Sequence, residues 1–311
     1  MPYYLGLDGG GTKTTCAVGD ESQLLATAIA GPSNIVRVGE AQARESLAQA
    51  VRLACAAAGI APADVTRTCV GGSGAAHPEL AAKIRQIFAA ILAAPIEVVG
   101  DMQIALEAAF DTGPGVVVIA GTGSIAYGRD HQGNTARAGG WGFAIGDEGS
   151  AHWIGRSAVN AVLRASDRNA AEGSAPSSGS TLAATLMKAW GIASLPDLAR
   201  AANAIPPPNF AALFPAVAAA DDDLATEVLT RAGRELAQLA AVVLHRLFAG
   251  AKMASVQVAM TGGVFRHSPF VRQVFAHELR ALDARVEVNP QVVEPVEGAL
   301  RLARRAAAAQ G

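Results

Sequence analysis

The chain has 311 residues, 51% of them apolar and 17% charged, with a formal net charge of −2. That length exceeds one small core and predicts two domains or one large one, while the composition excludes a disordered chain. The near-neutral balance, with no run of Lys or Arg, excludes the electrostatic footprint of a nucleic-acid or anionic-membrane binder, so small-molecule partners are expected.

The N-terminus, MPYYLGLDGGG, has no basic leader and reaches Asp8 before an apolar stretch could form a signal peptide. No span approaches the roughly 18 uncharged apolar residues of a membrane helix, and a cytoplasmic protein is expected. Cys16, Cys55 and Cys69 are odd in number and lack ligand spacing, which argues against a disulfide framework and a structural metal site and predicts small buried side chains. The six histidines are scattered and are assigned no metal.

Residues 3–8 read as a buried strand, and 14–19 and 23–30 as two more around the polar turn 20–22, a meander. Apolar positions at helical spacing predict a helix over 39–59, closed by Gly59. A strand at 67–70 and a helix at 78–92 follow, then a strand at 96–99, a helix at 103–110 and a fully apolar strand at 115–120. Three antiparallel strands followed by alternating helices and strands imply a mixed sheet covered by helices. Residues 116–140 then repeat the layout of residues 4–20 about 110 residues later: buried strand, Gly-Thr turn, second strand, polar turn. A duplicated unit is the simple inference, although two apolar strands can also end in glycine independently. A third glycine turn closes the strand in 256–265. Helices dominate 150–251, interrupted by a surface loop at 170–180 and a rigid Pro-rich turn at 205–209, and the C-terminal tract is a helix. A domain boundary is expected at 111–115.

Backbone N–H groups on a glycine-rich turn can converge on phosphate oxygens, because no Cβ blocks the approach and glycine accepts positive φ. Gly9, Gly10, Gly11 and Thr12 fit that use, but Thr12, interposed between Gly11 and Lys13-Thr14, breaks the register of a Walker loop. Residues 121–126 match a dinucleotide fingerprint, yet strand and turn follow where that fold requires a helix, so the match is rejected. Two glycine-threonine turns at duplicated positions, facing a cleft between domains, read as a clamp for a nucleoside triphosphate. Asp8 beside those phosphates is tolerable with Mg²⁺ between them; capping of its turn is the alternative.

The motifs LGLDGGGTKT (5–14), GPSN (31–34), GGSG (71–74), VVGD (98–101), IAGTGS (119–124), GGWGFAIGDEGSAHWIG (139–155) and MTGGV (260–264) run nearly end to end. In them the chain resembles the actin-like ATPase superfamily and, more narrowly, the N-acetylglucosamine kinases and relatives of the BadF/BadG/BcrA/BcrD group. The resemblance implies an α/β protein of two actin-like (ribonuclease H-like) domains, each with a mixed five-stranded sheet flanked by helices, and a cleft between them. The domains would be 1–112, with helix 298–311 packing back on it, and 113–297. It implies an ATP-dependent amino-sugar kinase acting on a hydroxyl of N-acetylglucosamine, the 6-hydroxyl being favoured, with Mg²⁺ and as a homodimer. Glucosamine or another amino sugar, or a sugar-independent ATPase of the same family, are the alternatives.

The same resemblance makes Asp101 the base for the attacking sugar hydroxyl; capping of the following helix is compatible with that role. Asn34, Ser73, Gly74, Gly140, Trp141, Gly142 and Asp147 become sugar-pocket candidates. As alternatives, Asn34 suits a turn, Trp141 a core or interface, and Asp147 with Glu148 the capping of a helix from Ser150; Ser73 and Gly74 fit either reading. Gly10, Gly11, Thr12, Lys13, Gly121, Thr122 and Gly123 become phosphate-binding candidates, with Gly262 and Gly263 beside the adenosine. Lys13 is the open member, because arginine also stands there in relatives and a lysine beside a turn is often solvated. Residues 216–225 lack the glycine turn that relatives place near the adenine. A dehydratase-activating ATPase with an iron–sulfur cluster needs cysteines in the second domain, and none follows Cys69. A repressor-type sugar sensor needs an added DNA-binding segment, for which a first strand at residue 3 leaves no room. A chaperone-like ATPase would leave GGWG and GDEG unexplained.

Overall fold

The computed structural model describes residues 1–75, 77–171, 180–250 and 254–308. The chain divides into two compact units, Met1–Pro114 with Val293–Gly311, and Gly115–Val292. Among the described residues no helix is long and apolar enough to cross a membrane.

The first unit holds β1 (Tyr3–Gly9), β2 (Thr14–Gly19), β3 (Leu24–Ala30), α1 (Ile35–Ala58), β4 (Val65–Gly72), α2 (Pro78–Ala89), β5 (Ile96–Gly100) and α3 (Asp101–Phe110). Its sheet has the order β3-β2-β1-β4-β5, antiparallel through the meander and parallel from β1 to β4 to β5. The second unit contains β6 (Gly115–Ala120), β7 (Ser124–Arg129), β8 (Thr135–Gly139), α4 (Ala151–Ala171), α5 (Thr181–Trp190), α6 (Leu195–Ala202), α7 (Phe214–Ala218) and α8 (Asp223–Phe248). It continues with β9 (Val256–Thr261), α9 (Gly263–His267), α10 (Pro269–Leu282) and β10 (Val286–Val292), after which α11 (Pro295–Ala308) belongs to the first unit. Its sheet, β10-β9-β6-β7-β8, repeats the first in order and direction, with β6, β7 and β8 in the places of β1, β2 and β3. Two such mixed five-stranded sheets flanked by helices make this an α/β protein.

The central strands, β6 throughout and β1 up to Asp8, are largely apolar because both faces are covered. On β1, Leu5 and Leu7 point into a core shared with Leu47, Val51 and Ile87, from α1 and α2, while Tyr4 joins Ile104, Ala299 and Leu300, from α3 and α11, on the other face. Glycine sets how closely α11 lies on this second face. A Cβ at Gly6 would stand 2.3 Å from the Leu300 nitrogen, and one at Gly298 would stand 2.0 Å from the Ile104 carbonyl oxygen. In the second unit α8 carries the helical stripe Ala225, Val228, Leu229, Ala232, Leu236, Ala240 and Val243 into the core.

The helix expected over 39–59 begins earlier, at Ile35, with non-helical Gly39 (φ 79°) breaking its first turn. Strand β10 was not foreseen: VEVNPQV carries a proline and alternates poorly, which an edge strand tolerates. The loop expected at 170–180 lies, from 172 to 179, outside the described residues. Cys16, Cys55 and Cys69 are buried free thiols, and burial pushes each above the usual thiol range.

Candidate functional site

In the first unit the candidate residues gather at the carboxyl ends of the three parallel strands, where open α/β sheets place their ligands. Asp8 is the penultimate residue of β1, Ser73 follows β4 and Asp101 follows β5. Main-chain bonds tie these ends together: the Ser73 N–H donates to the Gly9 carbonyl (3.2 Å), and the Gly10 carbonyl accepts from Ser33 (3.1 Å) and Asn34 (3.3 Å). Gly10 also donates to the Lys13 carbonyl (3.0 Å), closing the turn that carries Gly11 and Thr12. None of residues 9–11 has positive φ, contrary to the expectation for this turn. Glycine serves there by close approach, since a Cβ would stand 2.9 Å from the Ser33 hydroxyl at Gly9 and 3.0 Å from the Lys13 carbonyl at Gly10. Positive φ occurs instead at Gly74 (81°), in the turn after Ser73.

Asp101 is the first residue of α3, and the capping position falls to Gly100, whose N–H is taken by the Gln103 side chain at 2.9 Å. The Asp101 carboxylate accepts from the Met102 N–H at 3.0 Å and from the Ser73 hydroxyl. Burial raises its pKa above the usual carboxylate range, against the opposing effect of those bonds. Asp8 is pushed up to about 7, first by burial, then by the negative charge of Asp101 and more weakly by Glu294, with Lys13 the opposing positive charge. Glu294 escaped the sequence reading: a lone glutamate between Val293 and Pro295 carries no motif, and only the return of the chain to the first unit brings it near Asp8.

Asn34 stands at the N-cap position of α1 yet makes no capping bond with its side chain. Its Oδ1 is buried with no hydrogen-bond partner, which is unusual for a buried amide oxygen and leaves it open to a donor from outside the chain. A small hollow of about 10 Å³ at these strand ends is lined by Gly9, Ser33, Gly72 and Ser73 together with apolar side chains such as Ile35 and Ile84.

A cation at Asp8 fits this arrangement, because a buried carboxyl crowded by two other carboxylates is relieved by positive charge. Among the described residues no three His, Cys, Asp or Glu side chains converge to hold a metal ion alone. A cation there would complete its shell with phosphate oxygens and water, as Mg²⁺ commonly does.

In the second unit, the turn 121–123 joins β6 to β7, closed by the Gly121 N–H donating to the Gly123 carbonyl at 2.9 Å. Gly262, at the end of β9, lies against β6: its φ is 103° and a Cβ would stand 2.3 Å from the Ala120 carbonyl oxygen. Gly121, Thr122, Gly123, Gly262 and Gly263 are thereby neighbours at the carboxyl ends of two parallel strands. Gly263 is open, with no heavy atom near its would-be Cβ.

Asp147 is 8% exposed and adopts a left-handed backbone (φ 62°), uncommon outside glycine. Its carboxylate lies against Gly123 and accepts the N–H groups of Ser124 and Gly142; burial raises its pKa, those two bonds lower it, and Glu148 raises it. It thus pins the segment 139–150 to the turn 121–123, and its carbonyl accepts from Ser150 at 3.1 Å. Within that segment Gly139, Gly140 and Gly142 have positive φ, and Trp141 is 66% exposed with the Arg137 guanidinium 4.7 Å above its ring. Phe143 and Ile145 are exposed as well, an unusual density of apolar side chains in contact with water.

The segment 216–225 contains the joint between α7 and α8. Asp222 caps α8 by accepting from Leu224 (2.9 Å) and accepts also from Leu182 (3.0 Å) and the Ser180 hydroxyl (3.1 Å), tying α5 to α8.

Over 170 residues the chain is 35% identical to an N-acetylmuramic acid/N-acetylglucosamine kinase of Clostridium acetobutylicum, a match covering 54% of this chain and 56% of that one. The chain spans about half the length of the curated relatives it matches. A solved structure from Chromobacterium violaceum, provisionally named an N-acetylglucosamine kinase, superposes with a TM-score of 0.75 at 26% identity, covering 97% of this chain and 99% of the other. A ROK family glucokinase from Streptomyces griseus, solved with glucose and AMPPNP, shares the fold, with a TM-score of 0.60 at 16% identity and 97% and 99% coverage. The family profile spans residues 5–303, nearly all the elements just described, and the chain belongs to the BadF/BadG/BcrA/BcrD ATPase family.

Proposed function

We propose that the protein is a cytoplasmic ATP-dependent amino-sugar kinase that phosphorylates N-acetylglucosamine, at the 6-hydroxyl. The observation carrying this reading is the Asp101 carboxyl: buried, held by Ser73 and the Met102 N–H, raised in pKa and beside Asp8. A base of that kind orients the attacking hydroxyl and accepts its proton, and a pKa nearer the working pH improves the transfer. The names of the Clostridium and Chromobacterium proteins support the substrate class.

Asn34 offers its unpartnered Oδ1 to a sugar hydroxyl, with Ser73 and Gly74 lining the same strand ends. From the second unit, Trp141 supplies an aromatic surface and Gly142 open backbone for the sugar, with Gly140 packed against Ile125 and Asp147 holding the segment in place. In the turns that Gly10 and Gly121 close through their own N–H bonds, the main chain of Gly11 and Thr12, and of Thr122 and Gly123, binds phosphate oxygens; Gly262 and Gly263 flank the nucleoside, and Lys13 adds positive charge. Asp8 holds Mg²⁺, which supplies charge neutralisation on the triphosphate. A homodimer is carried over from the family resemblance, and sedimentation velocity reads it directly.

The test is ADP release from ATP and Mg²⁺ across a panel of N-acetylglucosamine, glucosamine, N-acetylmannosamine, N-acetylmuramic acid and glucose, with the phosphorylated position read by ³¹P–¹H correlation. N-acetylglucosamine is expected to give the highest kcat/KM and a 6-phosphate. Preference for another amino sugar would change the substrate, and steady hydrolysis indifferent to every sugar would make the protein a sugar-independent ATPase.

A further inference from the structure

We propose that the groove between α4 and α8 is a binding site for a small molecule bearing two phosphate groups, of about the size of a hexose bisphosphate. This goes beyond the kinase reading and does not depend on it. The groove is a half-open hollow of about 440 Å³, within the range of small-ligand sites, and both walls belong to the second unit. Arg156, Arg164 and Arg168 project from α4 and Arg231 from α8, against the single carboxylate of Glu227. That leaves three positive charges in excess on a chain whose net charge is −2.

Positions 156, 160, 164 and 168 fall on successive turns of one helix face, so Arg164 and Arg168 are like charges at the spacing where helical neighbours repel. Ion pairs elsewhere in the protein join Arg to Asp or Glu, but among the described residues none involves Arg156, Arg164, Arg168 or Arg231. Arg231 is held over the Trp153 ring, 5.3 Å from its centroid, which orders its guanidinium without neutralising it. Arg168 lies in the last turn of α4 and meets the helix dipole there; the other three have no such partner.

Guanidinium forks bind phosphate through paired N–H···O bonds, and several of them around one hollow suit a ligand with more than one dianionic group. The walls of the groove also anchor the segment that bears Trp141. The Ala151 N–H at the start of α4 donates to the Gly121 carbonyl (2.8 Å), and a Cβ at Gly149 would stand 2.7 Å from the Ala232 carbonyl oxygen of α8.

Calorimetric titration of the full chain with a hexose 1,6-bisphosphate, citrate and inorganic phosphate, at about 0.1 M salt, tests the proposal, with Trp153 fluorescence as a second readout. The bisphosphate is expected to bind with a Kd of roughly 10–100 µM, with citrate and phosphate at least about tenfold weaker. R164A/R168A, both exposed positions, is expected to weaken the bisphosphate by about tenfold or more without lowering the melting temperature; R156A alone is expected to show a smaller loss. No binding up to about 5 mM, or binding unchanged in these variants, overturns the proposal. Citrate binding as tightly assigns the groove to carboxylates and overturns it too, as does Arg-dependent retention on nucleic acid or anionic vesicles without bisphosphate binding.

Discussion

Replacing Asp101 by asparagine separates catalysis from structure at one position. Asparagine keeps the shape of the side chain and an oxygen for the Met102 N–H, now at 3.0 Å, and for the Ser73 hydroxyl. What it removes is the negative charge and the ability to take a proton. General-base catalysis contributes about 10²–10⁴ in rate, so kcat is expected to fall by about a thousandfold, equivalent to about 4 kcal/mol in the barrier, with the KM for ATP little changed. The folded protein should not suffer. A carboxyl whose folded pKa is raised above its ordinary 3.8 opposes folding at neutral pH, and the Asp101 charge also burdens Asp8. The variant apoprotein is therefore expected to melt at or above the wild-type temperature at pH 7. That advantage should vanish below about pH 3.8, where the group is protonated in both states. Initial rates of sugar-dependent ADP release and thermal unfolding of the two proteins measure both quantities. A kcat within about tenfold of wild type would remove Asp101 from the role of base, and a melting point several degrees lower would make it a structural residue.

Asn34→Ala should raise the KM for the sugar by about tenfold or more, the effect of one lost buried hydrogen bond, and leave stability unchanged because its Oδ1 has no partner within the chain; steady-state kinetics beside a melting curve check both halves. Gly262→Ala places a Cβ 2.3 Å from the Ala120 carbonyl at φ 103°, and urea unfolding should register a loss of about 3 kcal/mol. Asp222→Ala removes the cap of α8 and its bonds to α5, for a loss of about 2 kcal/mol at pH 7. Burial would raise the Asp222 pKa, but its hydrogen bonds outweigh that and hold it below 3.8; its contribution is therefore full above that pH and is lost as pH falls through the folded value. The gap between wild type and Asp222→Ala should accordingly stay constant from pH 7 to about 5 and close in stronger acid, and a gap that widens in acid would contradict the assignment.

The glycine turns, the strand meander and the repeat of residues 4–20 at 116–140 were legible in the amino-acid order. Each is a local property: a backbone that must come close to another group demands glycine at that residue, and a strand covered on both faces demands an unbroken apolar run. The matching strand orders of the two sheets follow from the same repeat. Asp8, Ser73 and Asp101 could be named one by one, each at the end of a strand, but their association could not be read, because it depends on β1, β4 and β5 lying side by side. Glu294 reaches Asp8 only because the chain returns to its first unit after β10. Asp147 was read as a sugar ligand or a helix cap, and what could not be read is that its carboxylate takes the N–H groups of Ser124 and Gly142, a contact that exists only once β7 and the segment 139–150 are packed together. The arginines of α4 look in sequence like an ordinary solvated helix face, and the placement of Arg231 opposite them makes a groove. Periodicity and residue identity act over a few positions along the chain, while a site is made by groups far apart in sequence that only the topology of the sheets and helices brings within reach of one another.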